Sequence, residues 1–356
     1  MKLASNKSPQ AGRPPGTRLE KVGVVLQRGN GDAWDAGMVE SPAVWYDYRY
    51  SCYGMVYTGY GRRPSATAND FGYSTVTIPR VGLAFSDDLI HWEKFGDSPI
   101  FSPCGVQGQP DSHGVAGPLI VPSYVSGIDQ YHLFYFGTTD SGYEAGRKTL
   151  NVATSPDLIQ WSRYDGNPII EPDAHAPASR WRSEAIWHPN IVRDGDLFYL
   201  FFNASGVHDG QHEEYIGYAT STNLLEWEVH DGECPVVIGS REPGAWDSSG
   251  RAGDPSLFRI EDTWYMVFYS WDRERSQDGM MMTSLDAFPL GWEPYPENPI
   301  LVNGLPGTFD AQHAGKPFVF RTENQHFHFY TAVDEQGRRE IAVALGNYTH
   351  ELMPDN

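Results

Sequence analysis

The chain is short of cysteine, of basic residues and of long apolar runs. Three cysteines, Cys52, Cys104 and Cys234, in 356 residues make no disulfide framework and set aside the small cross-linked secreted scaffolds. No window approaches the roughly 18 consecutive apolar residues of a membrane-spanning helix. Only 26 Lys and Arg stand against 46 Asp and Glu, and the formal net charge of −20 repels phosphate backbones and anionic membrane surfaces. Nucleic acid and membrane are therefore not expected as partners. Residues 1–20 (MKLASNKSPQAGRPPGTRLE) are polar, rich in Pro and Gly, and lack the apolar core of a secretory signal. They read as a disordered lead-in, and a cytoplasmic location is expected.

What the chain does have is a phrase that occurs five times around a proline: WDAGMVESPAVW (34–45), PDSHGVAGPLIV (110–121), WRSEAIWHPNIV (181–192), WDSSGRAGDPSLF (246–258) and FDAQHAGKPFVF (309–320). Each is followed by an aromatic, alternating run such as YHLFYFGT (131–138) or WYMVFYSW (264–271), which reads as strand. A third element, VGLAFSDDLIHW (81–92) in its first copy, returns with final tryptophans 69, 66 and 65 residues apart. A fourth follows as SPIF, NPII, CPVV and NPIL, and is missing from the last unit. KVGVVLQRG (21–29), ahead of the first phrase, supplies the missing copy.

Self-similarity of this kind signals a repeat architecture. The reading is all-β: a five-bladed β-propeller of four-stranded antiparallel blades whose N-terminal strand completes the last blade, a closure that protects strand edges. A β-sandwich gives no reason for one phrase to return at every fourth strand. Length alone suggests two domains, but the repeats run unbroken, so residues 21–356 read as one domain.

Function is sought where the repeat breaks, at the innermost strands. Before the repeated proline stand Ser41, Gly117, His188, Asp254 and Lys316, and one position earlier Glu40, Ala116, Trp187, Gly253 and Gly315. Glu40, Asp254 and Glu184 are expected to bring three carboxylates around one axial pocket, where crowding raises one pKa as a general acid requires. His113, His188, His313, Arg251 and Lys316 belong to the same strand starts. With Trp187, unique at its position, they are candidate substrate-binding residues suited to a sugar ring. Asp35, Asp111, Asp247 and Asp310 occupy equivalent positions. Such recurrence favours a turn or capping role, and contact with a ligand is the second reading. Trp92, Trp161, Trp227 and Trp292 recur and read as packing between blades.

The A-x-S-x-D-L-x-x-W element, the following N-P-I and the x-P-x-[VIL] inner strand resemble the five-bladed glycoside hydrolases of families 32, 43, 68, 117 and 130, closest in pattern to families 43 and 32. The resemblance runs from about residue 20 to 348 and implies a glycosidase. Family 43-like enzymes carry an aspartate base before the blade 1 proline, an aspartate modulator in blade 3 and a glutamic acid donor two residues before the blade 4 proline. Here those places read Glu40-Ser41-Pro42, His188-Pro189 and Asp254-Pro255.

The expected activity is exo-acting, inverting hydrolysis of a short glycoside, with Glu40 and Asp254 as acid and base and Glu184 tuning or replacing one of them. Inversion needs carboxyls about 6.5–9.5 Å apart, retention about 5–5.5 Å. Insertions at 62–79, 104–112, 140–149, 171–183 and 205–214 are expected to wall the pocket. A family 130-type phosphorylase is the alternative, with Arg251 and Lys316 cradling phosphate or gripping a uronic acid. A non-catalytic sugar-binding propeller and a protein-interaction scaffold are the other classes. No cofactor is required. A structural calcium on the axis near His188 and His313 is a further expectation implied by the related propellers.

Overall fold

Five four-stranded antiparallel sheets are strung along the chain in order, each with its first phrase strand innermost. The computed structural model describes residues 19–62, 76–140, 142–175, 177–232, 235–272, 274–323 and 325–346. Most of the expected lead-in and of the 62–79 insertion, together with Cys234, lies outside these residues. β1 (Glu20–Leu26) comes first. Blade 1 holds β2 (Met38–Asp47), β3 (Cys52–Arg62), β4 (Val76–Ser86) and β5 (Glu93–Lys94), and blade 2 holds β6 (Gly114–Val121), β7 (Tyr131–Thr138), β8 (Lys148–Ser155) and β9 (Ser162–Arg163). Blade 3 holds β10 (Ala185–Asp194), β11 (Leu197–His208), β12 (Gln211–Ser221) and β13 (Glu228–Val229), and blade 4 holds β14 (Gly253–Ile260), β15 (Thr263–Trp271), β16 (Ser276–Ser284) and β17 (Glu293–Pro294). Blade 5 holds β18 (His313–Arg321), β19 (His326–Val333) and β20 (Arg339–Gly346), and β1 pairs with β20 as its outermost strand. The five-bladed propeller and its borrowed strand are as expected.

One expected element lies elsewhere. The fourth strands are the dipeptide-long β5, β9, β13 and β17 just after each tryptophan, whereas SPIF, NPII, CPVV and NPIL contribute only isolated bridges such as Leu150 to Ile170. Two of the four copies reinforce the bridge with an asparagine. Asn167 accepts from the Val152 N–H and donates to its carbonyl, both at 2.9 Å, and Asn298 does the same to Met280 at 2.8 Å. An amide side chain thus imitates a strand neighbour and satisfies backbone groups at the sheet edge.

The repeated proline interrupts every inner strand. Proline has no N–H for the ladder, so the register skips at Glu40/Ala43, Ala116/Leu119, Trp187/Asn190, Gly253/Ser256 and Gly315/Phe318. In each bulge the residue before proline takes a positive φ: Ser41 53°, Gly117 55°, His188 48°, Asp254 52° and Lys316 53°. Only blade 2 uses the glycine that makes this conformation free of strain. Neighbouring blades satisfy the bulge N–H groups: Ser41 donates to Thr331 Oγ1 (3.1 Å), Gly117 to Thr58 Oγ1 (2.9 Å) and Asp254 to Asn203 Oδ1.

The recurrent tryptophans pack between blades, as expected. Trp92, Trp227 and Trp292 stand edge-on to Phe329, Phe134 and Phe201 on the second strand of the preceding blade, and each indole N–H donates to the carbonyl three residues earlier. Such pairs contribute about 0.5–1.5 kcal/mol each beyond area burial.

The recurrent aspartates are scaffold. Asp35 accepts from Tyr57 Oη (3.1 Å) and Lys94 Nζ (2.5 Å), and Asp111 from Tyr135 Oη (3.1 Å) and Arg163 Nε (2.7 Å). Asp310 accepts from Tyr330 Oη (3.0 Å) and Lys21. Each carboxylate thereby ties the entry of its blade to the second and outermost strands. Asp247 instead takes the Ser240 N–H (3.0 Å), and in blade 3 the charges are exchanged, with Arg182 in the aspartate position clamping Asp231. None of the four aspartates is among the residues that line the axial cavity, and their bonds are those of a structural role.

Replacing Arg163 by Met strands the buried Asp111 carboxylate. Urea unfolding is expected to show a loss of roughly 2–3 kcal/mol, less than the 3–5 kcal/mol of a fully buried pair because about a third of the Arg163 side chain meets water. A change within measurement error contradicts the scaffold role.

Candidate active site

The bulges turn the residue before each proline toward the axis, and four of the five carry polar side chains there. Ser41, His188, Asp254 and Lys316 ring a narrow space under a cavity of about 250 Å³. At its floor the Lys316 ammonium lies 2.8 Å from His188 Nε2, 3.1 Å from Glu144 Oε1 and 3.9 Å from Asp254 Oδ2. His188 Nε2 is 3.5 Å from Asp254 Oδ1, which also accepts from Asn203 Nδ2 at 2.8 Å. Three blades and one loop therefore meet at a single ammonium.

Glu144 comes from the loop between β7 and β8. Burial by itself raises its pKa, but Lys316 and His188 beside it outweigh burial and hold the carboxyl well below the ordinary value. The same carboxylates push the Lys316 ammonium pKa up against the opposing effect of burial. Glu214, at the start of β12, is shifted the other way. Burial raises it, as do the nearby charges of Asp254 and Glu144, against the lowering effect of Arg251 and of the hydrogen bond from Tyr269 Oη. The pocket thus holds one carboxyl kept ionised and another biased toward its protonated form.

Three cations line the cavity, and each faces a carboxylate. Besides Lys316, Arg339 Nη1 donates to Glu40, and Arg251 lies 3.9 Å from both Glu213 and Glu214 with its guanidinium 5.1 Å over the Trp271 ring.

Of the residues expected from sequence, Asp254, Trp187, Arg251, His313 and Lys316 line the cavity, and His188 completes its floor. The expected carboxylate trio does not assemble. Glu40 is 1% exposed and lies behind the wall, bonded to Arg339 and Tyr143. Glu184 is about half exposed, 2.7 Å from His212 Nδ1, and lines a separate surface cleft with Arg147 and Asp173. It directly precedes β10 and is not among the residues that line the axial cavity. His113 is engaged at 3.1 Å by Ser112 Oγ and lies outside the cavity lining. Trp187 has its ring face capped by the Lys148 ammonium at 5.2 Å.

An axial calcium does not suit this donor set. Calcium takes six to eight oxygen ligands, whereas an ammonium and an imidazole occupy the centre and His313 Nδ1 accepts the Ser276 N–H at 3.1 Å. Among the described residues, no group of three or more His, Cys, Asp or Glu is placed to hold a metal ion.

Sequence reasoning missed Glu144, Glu214, Tyr143, Tyr269 and Arg339, which lie in a loop or on second and third strands. A signal was present for some of them. The residues facing the bulges across the ladder, Thr58, Phe136, Asn203, Tyr269 and Thr331, also break the repeat, with only threonine used twice. The Glu213-Glu214 pair likewise interrupts a β-strand pattern.

Known proteins resemble the chain in the same terms. The profile of the glycosyl hydrolases family 32 N-terminal domain matches residues 121–288. The beta-1,2-mannobiose phosphorylase of Thermoanaerobacter sp. (strain X514) is 26% identical over 121 residues, which cover 31% of this chain and 37% of that relative. The match therefore spans little more than a third of the relative's length. A solved structure described as a glycoside hydrolase superposes with a TM-score of 0.72 at 18% identity, covering 93% of this chain and 93% of that one. Another, from work on the GH130 family of mannoside phosphorylases and its hydrolases that target beta-1,2 mannosidic linkages in Candida mannan, gives a TM-score of 0.67 at 14% identity over 96% of this chain and 97% of that one. The resemblance to five-bladed glycoside hydrolases holds in fold and over the matched segment.

His313 provides a pH test of the site. Burial, then the Arg339 charge, lowers its pKa from 6.5 to about 4. The unfolded chain therefore takes up this proton first as pH falls, and stability is lost between about 6.5 and about 4. His313→Gln removes that component. From pH 7 to 5 the variant is expected to lose on the order of 2 kcal/mol less unfolding free energy than the wild type. Parallel pH dependences in chemical denaturation rule the component out.

Proposed function

We propose that the protein is an exo-acting glycoside hydrolase with Glu214 as general acid and Glu144 as general base. One observation carries the assignment: two glutamates of one cavity are driven in opposite directions, Glu214 toward its protonated form and Glu144 toward its anion. Oppositely tuned carboxyls are the signature of an acid and base pair. Glu214 gives its proton to the glycosidic oxygen as the C–O bond to the anomeric carbon breaks. Glu144 takes a proton from the water whose oxygen forms the new bond to that carbon. Both glutamates then return to their starting states by exchange with solvent. Asp254, fixed by Asn203 and close to Lys316, supplies negative charge near the cationic transition state.

A cavity of about 250 Å³ is smaller than the roughly 300–1,000 Å³ of sites for drug-sized ligands. That size supports removal of a terminal sugar. Water is favoured over phosphate as the acceptor because Arg251, Lys316 and Arg339 each already face a carboxylate. The proposal includes inversion, read out as the anomer first formed in a proton NMR time course. It also includes a cytoplasmic location, which the free thiols of Cys52 and Cys104 support.

A panel of aryl and natural glycosides, with and without phosphate, tests the reading. Glu214→Gln should lower kcat by about 10²–10⁴-fold on natural glycosides. It should do far less with a dinitrophenyl leaving group, which needs no proton. Tyr269→Phe removes a hydrogen bond that favours the Glu214 anion, so the basic limb of the kcat/KM profile should move to higher pH. Equal losses on both leaving groups, or a basic limb that stays in place, remove Glu214 from the acid role. Glycan binding without turnover identifies a binding module instead.

A further inference from the structure

Glu40 breaks the repeat where the other blades carry Ala116, Trp187, Gly253 and Gly315. Four bulges form without a carboxylate at this position, so the fold does not require one there. Glu40 Oε2 accepts from Arg339 Nη1 and from Tyr143 Oη (3.3 Å), and Arg339 Nη1 also donates to Tyr143 Oη at 3.0 Å. This triangle joins β2, β20 and the loop before β8, and Tyr143 adjoins Glu144 in the chain. The Tyr143 ring stacks on Tyr60 at 5.8 Å.

The loop passes through left-handed backbone at three of its described residues. Glu144 has φ 44° and lies between Gly142 at 133° and Gly146 at 75°. A non-glycine residue in that region persists when its surroundings determine it. Here they do so from two sides. Lys148 Nζ donates to the Glu144 carbonyl at 3.0 Å while lying over Trp187, and the Glu40 triangle grips Tyr143.

We propose that Glu40 is a positioning residue that acts through Tyr143 to hold Glu144 against Lys316, an inference that rests on Glu144 being the base. A rival role, neutralising Arg339, makes a different demand. Tyr143→Phe keeps the Glu40–Arg339 pair and removes only the phenolic link. It is therefore silent if neutralisation is the whole role.

The experiment compares wild type, Tyr143→Phe, Glu40→Gln and Glu144→Ala on an activated aryl glycoside, together with amide hydrogen exchange over 139–148. Tyr143→Phe and Glu40→Gln are expected to lower kcat by on the order of 10–10²-fold, the scale of a misplaced catalytic group, with KM little changed. Exchange in 139–148 should quicken, and azide should restore turnover to Glu144→Ala but not to the other two. Wild-type kcat and wild-type exchange in Tyr143→Phe overturn the proposal even if Glu40→Gln fails to fold. Wild-type turnover in Glu144→Ala overturns the base assignment, and the exchange data then decide separately whether the clamp exists.

Discussion

The proline bulge in each inner strand is the constraint on which the rest of the molecule depends. A backbone that skips two ladder positions and passes through positive φ cannot keep its side chain in the regular up-and-down alternation of the sheet. Repeated five times around an axis, the same local break presents Ser41, Gly117, His188, Asp254 and Lys316 to one another. Positive φ is unfavourable for four of these residues, and the seams between blades offset that cost. Thr331, Thr58 and Asn203 reach across from the preceding blade to take the bulge N–H groups of blades 1, 2 and 4. Blade packing and site geometry are in this sense one set of contacts.

Electrostatics then differentiates what the scaffold has gathered. In a chain of net charge −20, the cavity concentrates Lys316, Arg251 and Arg339 beside Glu144, Glu214 and Asp254. Low-dielectric surroundings strengthen each pairing, so small differences in partner decide protonation. Glu144 sits against an ammonium, whereas Glu214 has its arginine at 3.9 Å and feels two other carboxylates. Carboxyls of one chemical type thereby acquire complementary proton affinities.

The architecture was readable from the chain because a propeller repeats its local physics. The x-Pro phrase, the tryptophan turn and the aromatic second strand each recur for a reason that the geometry identifies. The N-P-I element misled for the same reason: a single bridge to the third strand, present in all four copies, recurs as faithfully as a strand. Asp254, His188 and Lys316 were legible since they put ionisable side chains at a position where the bulge is constant. Glu144 and Glu214 were not, because a loop between β7 and β8 and the start of β12 carry no repeat against which to see a departure. The aspartates of the first phrase stood between two readings, and the tyrosine and cation partners that decided the matter come from strands distant in the sequence. Glu40 was seen as unusual, but the direction of its side chain, behind the wall, depends on Arg339 at a separation of 299 residues.

Ring closure has a consequence for biogenesis. Leu26 pairs with Ile341, so an early strand must find a partner that leaves the ribosome some 315 residues later. At about 5–20 residues per second, that interval is roughly 15–60 s. Blades 1 to 4 can fold as they emerge, while β1 waits and the last blade stays an open edge until synthesis has passed β20. During that window β1 is an unsatisfied strand that matches the β20 edge of any more advanced copy on the same message. Exchange of β1 between adjacent nascent chains is therefore the misassembly to which this topology is most exposed.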